Sequence, residues 1–297
     1  FFELVRVLNY KFKSGDLELW ESHCASFSPN PDSPQSRALD FVASSGNYDE
    51  LVEFQKFQRF VLASFYFSTN DLLNPYVAWQ YNWTSAGNWM SEAHECDWAG
   101  IVCKNEWVEM TRRVVEKHTS VEATGGAEYG PIITAIQLEG HRIAREIPLD
   151  LALLSNLTVL DLIDNLLFID EESSLAFRSL SNLEVLSLAD NYFVEPGGRP
   201  DAFRSMEKLK KLQLSCNLLQ GKIRPDYFDK FHQLTHLEVE RNFLPGTPPA
   251  CLLHMEQLVY LYTRYNDFQI HFPDLVPRAI WPNICKPPPL AIRLHHS

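Results

Sequence analysis

Four stretches of one pattern decide the reading: LTVLDLIDN over 157–165, LEVLSLADN over 183–191, LKKLQLSCN over 209–217 and LTHLEVERN over 234–242. Weaker copies flank them, ITAIQLEGH from Ile133 and LVYLYTRYN from Leu258. Their first apolar residues are 24, 26, 26, 25 and 24 positions apart. Two further apolar places keep the same register. Six residues before the five later starts stand Leu151, Phe177, Phe203, Phe228 and Leu252, and three residues before stand Leu154, Leu180, Met206, Phe231 and Met255. A period of this length means a coil repeated along an axis. In each copy the second and third apolar positions alternate with outward ones, the pattern of a short strand with one buried face. One coil cannot hide that face alone, so successive coils must cover one another. Each large aliphatic side chain fully buried in this way contributes about 1.5–3 kcal/mol.

The ninth place of the copies holds Asn165, Asn191, Asn217, Asn242 and Asn266, with His141 in the first. The chain must leave the strand there, and a side-chain amide can satisfy backbone groups of neighbouring coils. Variants of a G-x-I-P segment follow, as in Arg145-Glu146-Ile147-Pro148, Gly221-Lys222-Ile223-Arg224 and Ile270-His271-Phe272-Pro273. With the L-x-x-L-x-L-x-x-N copies, this resembles plant-type leucine-rich repeats. The resemblance implies an α/β fold: a leucine-rich-repeat solenoid over 131–270, parallel strands on its concave face, and caps at both ends. Glu195-Pro196-Gly197-Gly198 departs from the pattern, so the convex side should be less regular there.

Upstream, apolar residues at Leu51, Phe54, Phe57, Val61 and Phe65 predict a helix from about Asp49 to Phe67. CDWAGIVC follows at 96–103, preceded by Trp79, Trp83 and Trp89. This motif resembles the N-terminal cap of plant extracellular leucine-rich-repeat receptors. That resemblance implies a Cys96–Cys103 disulfide and a tryptophan packed on the first repeat. A metal reading through His94, Glu95 and Cys96 is the rival, but the gap between the cysteines does not match zinc spacing. The stretch from Ser33 to Asp71, with SPQSRAL and RFVLASFYFST, resembles the region before the cap in leucine-rich-repeat proteins of diatoms and related algae. Many of those look secreted or carry an upstream membrane anchor. The expected organisation is an extension over 1–48, the cap over 49–130, six repeats over 131–270 and a C-terminal cap over 271–297. Residues 104–130 form a polar insertion read as a loop or hairpin. Cys251 with Cys285 is the preferred second pair, leaving Cys24 and Cys216 free or paired elsewhere.

The 297 residues carry 38 acidic against 26 basic side chains, a formal charge of -12. That balance argues against a nucleic-acid backbone or an anionic membrane surface as the main partner. No run of about 18 uncharged apolar residues crosses a bilayer, and a start at Phe1 leaves room for an upstream signal or anchor. Asn82 and Asn156 head Asn-x-Thr acceptors for glycosylation. The expected location is extracellular or the secretory lumen, with or without a membrane anchor.

No spacing of nucleophile, base, metal ligands or phosphate loop points to catalysis, so no enzyme, cofactor or metal is expected. The function read from the sequence is recognition of a protein or glycan on the concave sheet. The alternative is a structural subunit held in an assembly or cell-wall matrix. Side chains expected on the sheet begin with Gln137, Glu139, Asp161, Asp164, Ser187 and Asp190, then Lys211 and Gln213. The sharper candidates come with the later repeats: Lys211, His236, Glu238, Glu240, Arg241, Tyr260, Tyr262, Arg264 and Tyr265, because aromatic and arginine side chains dominate binding hot spots. Whether the three tyrosines face a ligand or pack on the C-terminal cap stays open at this point.

Overall fold

The computed structural model describes residues 30–268 apart from 71–82, 84–86, 117–118, 170, 195–199, 204, 224–227, 229, 247–251, 253–254 and 256. Expectations for Asn82, Cys24, the Cys251–Cys285 pair and the C-terminal cap lie outside those residues.

The interior leucines stack as the repeat demands. Strands β4 (Val159–Asp161), β6 (Val185–Ser187), β7 (Lys211–Gln213), β8 (His236–Glu238) and β9 (Tyr260–Tyr262) pair in parallel, one per repeat. Leu160, Leu186, Leu212, Leu237 and Leu261 are direct partners across the ladder, and all are buried. The two upstream apolar places fill the same interior. Phe177 packs edge-on to Phe203 with ring centroids 5.3 Å apart, and Leu154, Leu180 and Met206 are buried beside them. The protein is thus an α/β leucine-rich-repeat solenoid.

Its first repeat does double duty. The insertion is a hairpin of two long arms, β1 (Ile101–Glu116) and β2 (Thr119–Gln137), paired antiparallel. The last residues of β2, Ala135 to Gln137, are the strand of the first repeat and pair in parallel with β4. The start of β1, Ile101 and Val102, covers their other side against Ile136 and Ala135. The tail of CDWAGIVC is therefore the strand that closes the exposed edge of the concave sheet. Gly100 makes the approach possible. Its φ is +78, and a Cβ there would stand 2.1 Å from the Gln137 carbonyl oxygen.

Two helices complete the cap. Helix α1 (Pro34–Ala43) starts where Ser33 Oγ accepts from the Ser36 N–H and proline takes the first turn. Helix α2 (Glu53–Thr69) begins and ends a few residues later than expected, after a 3-10 turn over Tyr48–Glu50. The packed body therefore begins by Pro34, well before residue 49, because α1 lies against α2. Both helices reach the first repeat. Gln35 Nε2 and the Ser64 hydroxyl donate to Asp150 Oδ2, and Gln58 holds the backbone at both Pro131 and Ile133.

The Cys96–Cys103 disulfide is present. Behind it, Trp98 is buried between Trp89 and Phe41, with centroids 5.2 and 6.3 Å away, and Trp83 meets Trp89 edge-on at 4.8 Å. Next to the disulfide lies a feature with no apolar periodicity. Arg59 and Glu95 are both fully buried, Nε to Oε1 3.3 Å, and the guanidinium also donates to Asn47 Oδ1 and the Ala93 carbonyl. With Cys96 committed to sulfur, the rival metal reading of His94, Glu95 and Cys96 loses its thiolate.

Candidate functional site: the concave ribbon

The strand of each repeat puts its third and fifth residues on the concave face, and the register carries them into columns. The third-place column runs Val159, Val185, Lys211, His236, Tyr260, and the fifth-place column runs Asp161, Ser187, Gln213, Glu238, Tyr262. Along the third-place column valines give way to lysine, histidine and tyrosine, whereas the fifth-place column stays polar or acidic until Tyr262. Most are half-buried by their neighbours in the column. Ser187 corrects its expectation: at 1% exposure it is buried, because its hydroxyl bonds to Gln213 Oε1 at 2.8 Å. Gln213 passes the chain on, donating to Glu238 Oε2 at 3.1 Å. These three polar residues form one fixed line across three repeats.

The later candidates come together in pairs. The His236 ring stacks on Tyr260 with centroids 4.3 Å apart and lies 2.7 Å, Nδ1 to Oγ1, from Thr235. Burial and then the Lys211 ammonium hold the imidazole below its ordinary pKa, so the stack is between neutral rings near pH 7. The Arg241 guanidinium lies over Tyr265, 5.1 Å from the ring centroid. Tyr265, 63% exposed, and Arg241 stand at the rim, whereas Lys211, Glu238, Glu240, Tyr262 and Arg264 are half-buried on the ribbon.

The ribbon also has an order that residue types did not announce. The eighth place of every repeat has positive φ: Gly140 at 69, Asp164 at 54, Asp190 at 55, Cys216 at 54, Arg241 at 52 and Tyr265 at 55. Left-handed backbone turns these side chains out to the rim of the sheet. The signal available was Gly140, Asp164 and Asp190, the types that tolerate this conformation most readily. Cys216 stands in the same column as a free thiol. Burial, and then Asp190 through a hydrogen bond and its charge, push its pKa up, so it stays protonated.

Asn156 lies at the other end of the strands, half-buried three residues before Val159, where β4 begins. Among the described residues no group of three or more His, Cys, Asp or Glu side chains is placed to hold a metal ion, and no helix is long and apolar enough to cross a membrane.

Residues 198–244 match the family model described as leucine rich repeat. A search of curated proteins found no match. Several solved structures resemble parts of the chain. A TDR receptor is 31% identical over 46% of this chain, with a TM-score of 0.41, and this chain spans 23% of its length. The ectodomain of the receptor kinase SOBIR1 from Arabidopsis thaliana is 24% identical over 59% of this chain and 84% of its own, with a TM-score of 0.46. The Arabidopsis receptor kinase HAESA, in complex with the peptide hormone IDA and the co-receptor SERK1, is 22% identical over 81% of this chain and 30% of its own, with a TM-score of 0.45.

Proposed function

We propose that the protein is a non-catalytic recognition module of the cell exterior or secretory lumen, whose ligand is an extended segment of protein or a glycan laid across repeats four to six. The observation that carries this is the pairing of His236 on Tyr260 and of Arg241 on Tyr265 in adjacent repeats. It places two preorganised aromatic platforms and a cation on a ribbon whose backbone hydrogen bonds are already made. Such rigid aromatic and arginine side chains give affinity at low cost in conformational entropy. The disulfide fits an oxidising compartment, and an acceptor at Asn156 fits the same one.

Binding to panels of peptides, secreted proteins and glycans tests the reading. Tyr262→Ala, Arg264→Ala and Tyr265→Ala are each expected to weaken a captured ligand at least tenfold. An assembly that co-purifies with the chain and tolerates all three would overturn the reading in favour of a structural subunit. Mass spectrometry of the native protein checks the compartment: a bare Asn156 and reduced Cys96 would sink it.

A further inference from the structure

Immediately after the ninth place of each repeat, the chain runs along the flank of the solenoid. There β3 (Ala144–Glu146) pairs with β5 (Leu166–Phe168), and isolated bridges join Gln220 to Phe243 and Gly246 to Phe268. The eleventh place points inward, as Leu167, Phe193, Leu219 and Leu244, all buried. The tenth place points outward and reads, from first repeat to last, Arg142, Leu166, Tyr192, Leu218, Phe243, Asp267. Four consecutive repeats thus present apolar side chains, with Tyr192 52% and Phe243 51% exposed, and Phe168 and Val194 widen the stripe from the twelfth place. A run of this kind on a flank, beside the concave ribbon, marks a surface that something covers.

Its ends say what. Arg142 and Asp267 are exposed, opposite in charge and equally distant from the middle of the stripe, between Tyr192 and Leu218. A two-fold axis lying in the plane of the flank, along the direction of β3 and β5 at that midpoint, reverses the order of repeats and keeps each column in its own row. It brings Arg142 onto the second copy's Asp267, while apolar residues meet apolar residues. A surface complementary to itself under one rotation is what an isologous contact requires.

We propose that this flank is the interface of a symmetric dimer of the chain, the two solenoids side by side with repeats running in opposite directions and both concave ribbons open. Asn156 enters the strands from their opposite end, so a sugar there leaves the interface clear. Six repeats stacked about 4.8 Å apart make a face about 25 Å long, which sets the contact at the small, reversible end of specific interfaces.

Sedimentation of the full chain over a concentration series reads the result directly. A monomer–dimer equilibrium is expected in the range of about 1–100 µM. Phe243→Asp is expected to weaken it at least tenfold, with the circular dichroism and melting curve of the parent. Asp267→Arg alone sets two arginines against each other and is expected to weaken it severalfold. Combining it with Arg142→Asp restores the parent affinity, since the two ends merely exchange sign, and aspartate tolerates the φ of 56 at that position. A chain monomeric at every concentration, a dimer indifferent to Phe243→Asp, or a double variant no tighter than the single one would each overturn the proposal. So would capture of a different protein by the stripe of a chain that stays monomeric.

Discussion

Asn217 donates from Nδ2 to the carbonyls of Leu188, Leu214 and Ser215, and its Oδ1 accepts from the Phe193 N–H at 2.9 Å. Asn165, Asn191, Asn242 and Asn266 repeat the set in their own coils. One side chain thus finishes the hydrogen bonding of a bend that backbone alone leaves open. Asn217→Ala orphans the buried Phe193 N–H, with an expected loss of about 2–3 kcal/mol in urea unfolding. Asn217→Asp keeps the acceptor and turns an anionic oxygen on three carbonyls, so it is expected to be as unstable near pH 7 and to recover part of the loss when acid protonates it. This role was legible because the chemistry of the bend admits few residue types. The eighth-place conformation was not, since aspartate, cysteine, arginine and tyrosine all occupy it and the backbone imposes it on each. His236 gives a second test. Its pKa is lowered on folding, so the neutral form adds stability that is present above the unfolded value near 6.5 and is lost as pH falls through the folded one. Proton NMR should show His236 titrating below the ordinary histidine range, and Lys211→Met should move it upward; a normal titration would contradict the burial of its stacked ring.

Helix α2 was read from its apolar stripe, and the stripe is where the structure buries it, with Phe57, Val61 and Phe65 at 2% exposure or less. The missing half of the cap lies on residues the stripe treats as polar. Arg59 reads as a solvated position in a helical pattern, yet it is fully buried, because Asn47 and the turn carrying Ala93 and Glu95 come from two separate points of the chain to receive its donors. Long-range partnership of that kind has no period, so one sequence does not display it. The pair also joins the helix to the turn that carries Cys96. Removing one member leaves the other charge buried and uncompensated, the costly case for ion pairs. Arg59→Met is expected to destabilise the cap by about 3–5 kcal/mol, whereas Arg59→Met with Glu95→Gln should recover much of it. Chemical denaturation followed by tryptophan fluorescence checks both, since Trp98 donates to the same Ala93 carbonyl as Arg59 and packs on Trp89.

At the scale of the molecule, the repeat makes stability a sum of coil terms and contacts between neighbours. The place of a substitution along the axis should then decide its reach. Leu186 and Leu261 occupy the same repeat position and are both buried, but Leu186 has strands β4 and β7 on either side, while among the described residues Leu261 has β8 on one side. Leu186→Ala opens a cavity in the middle of the stack and is expected to cost about 2–5 kcal/mol. Because both neighbours lose a packing surface, amide exchange should speed up in β4, β6 and β7 together, including the Leu162 and Leu188 N–H groups that bond across to Ser187 and Gln213. Leu261→Ala removes the same atoms at the end of the series. Its loosening should stay in β8 and β9 and leave the hairpin-capped repeats as protected as before. Hydrogen exchange read residue by residue separates these outcomes. Equal, chain-wide loss of protection in both variants would mean that the coils unfold as one block, and the near-neighbour account of this solenoid would fail.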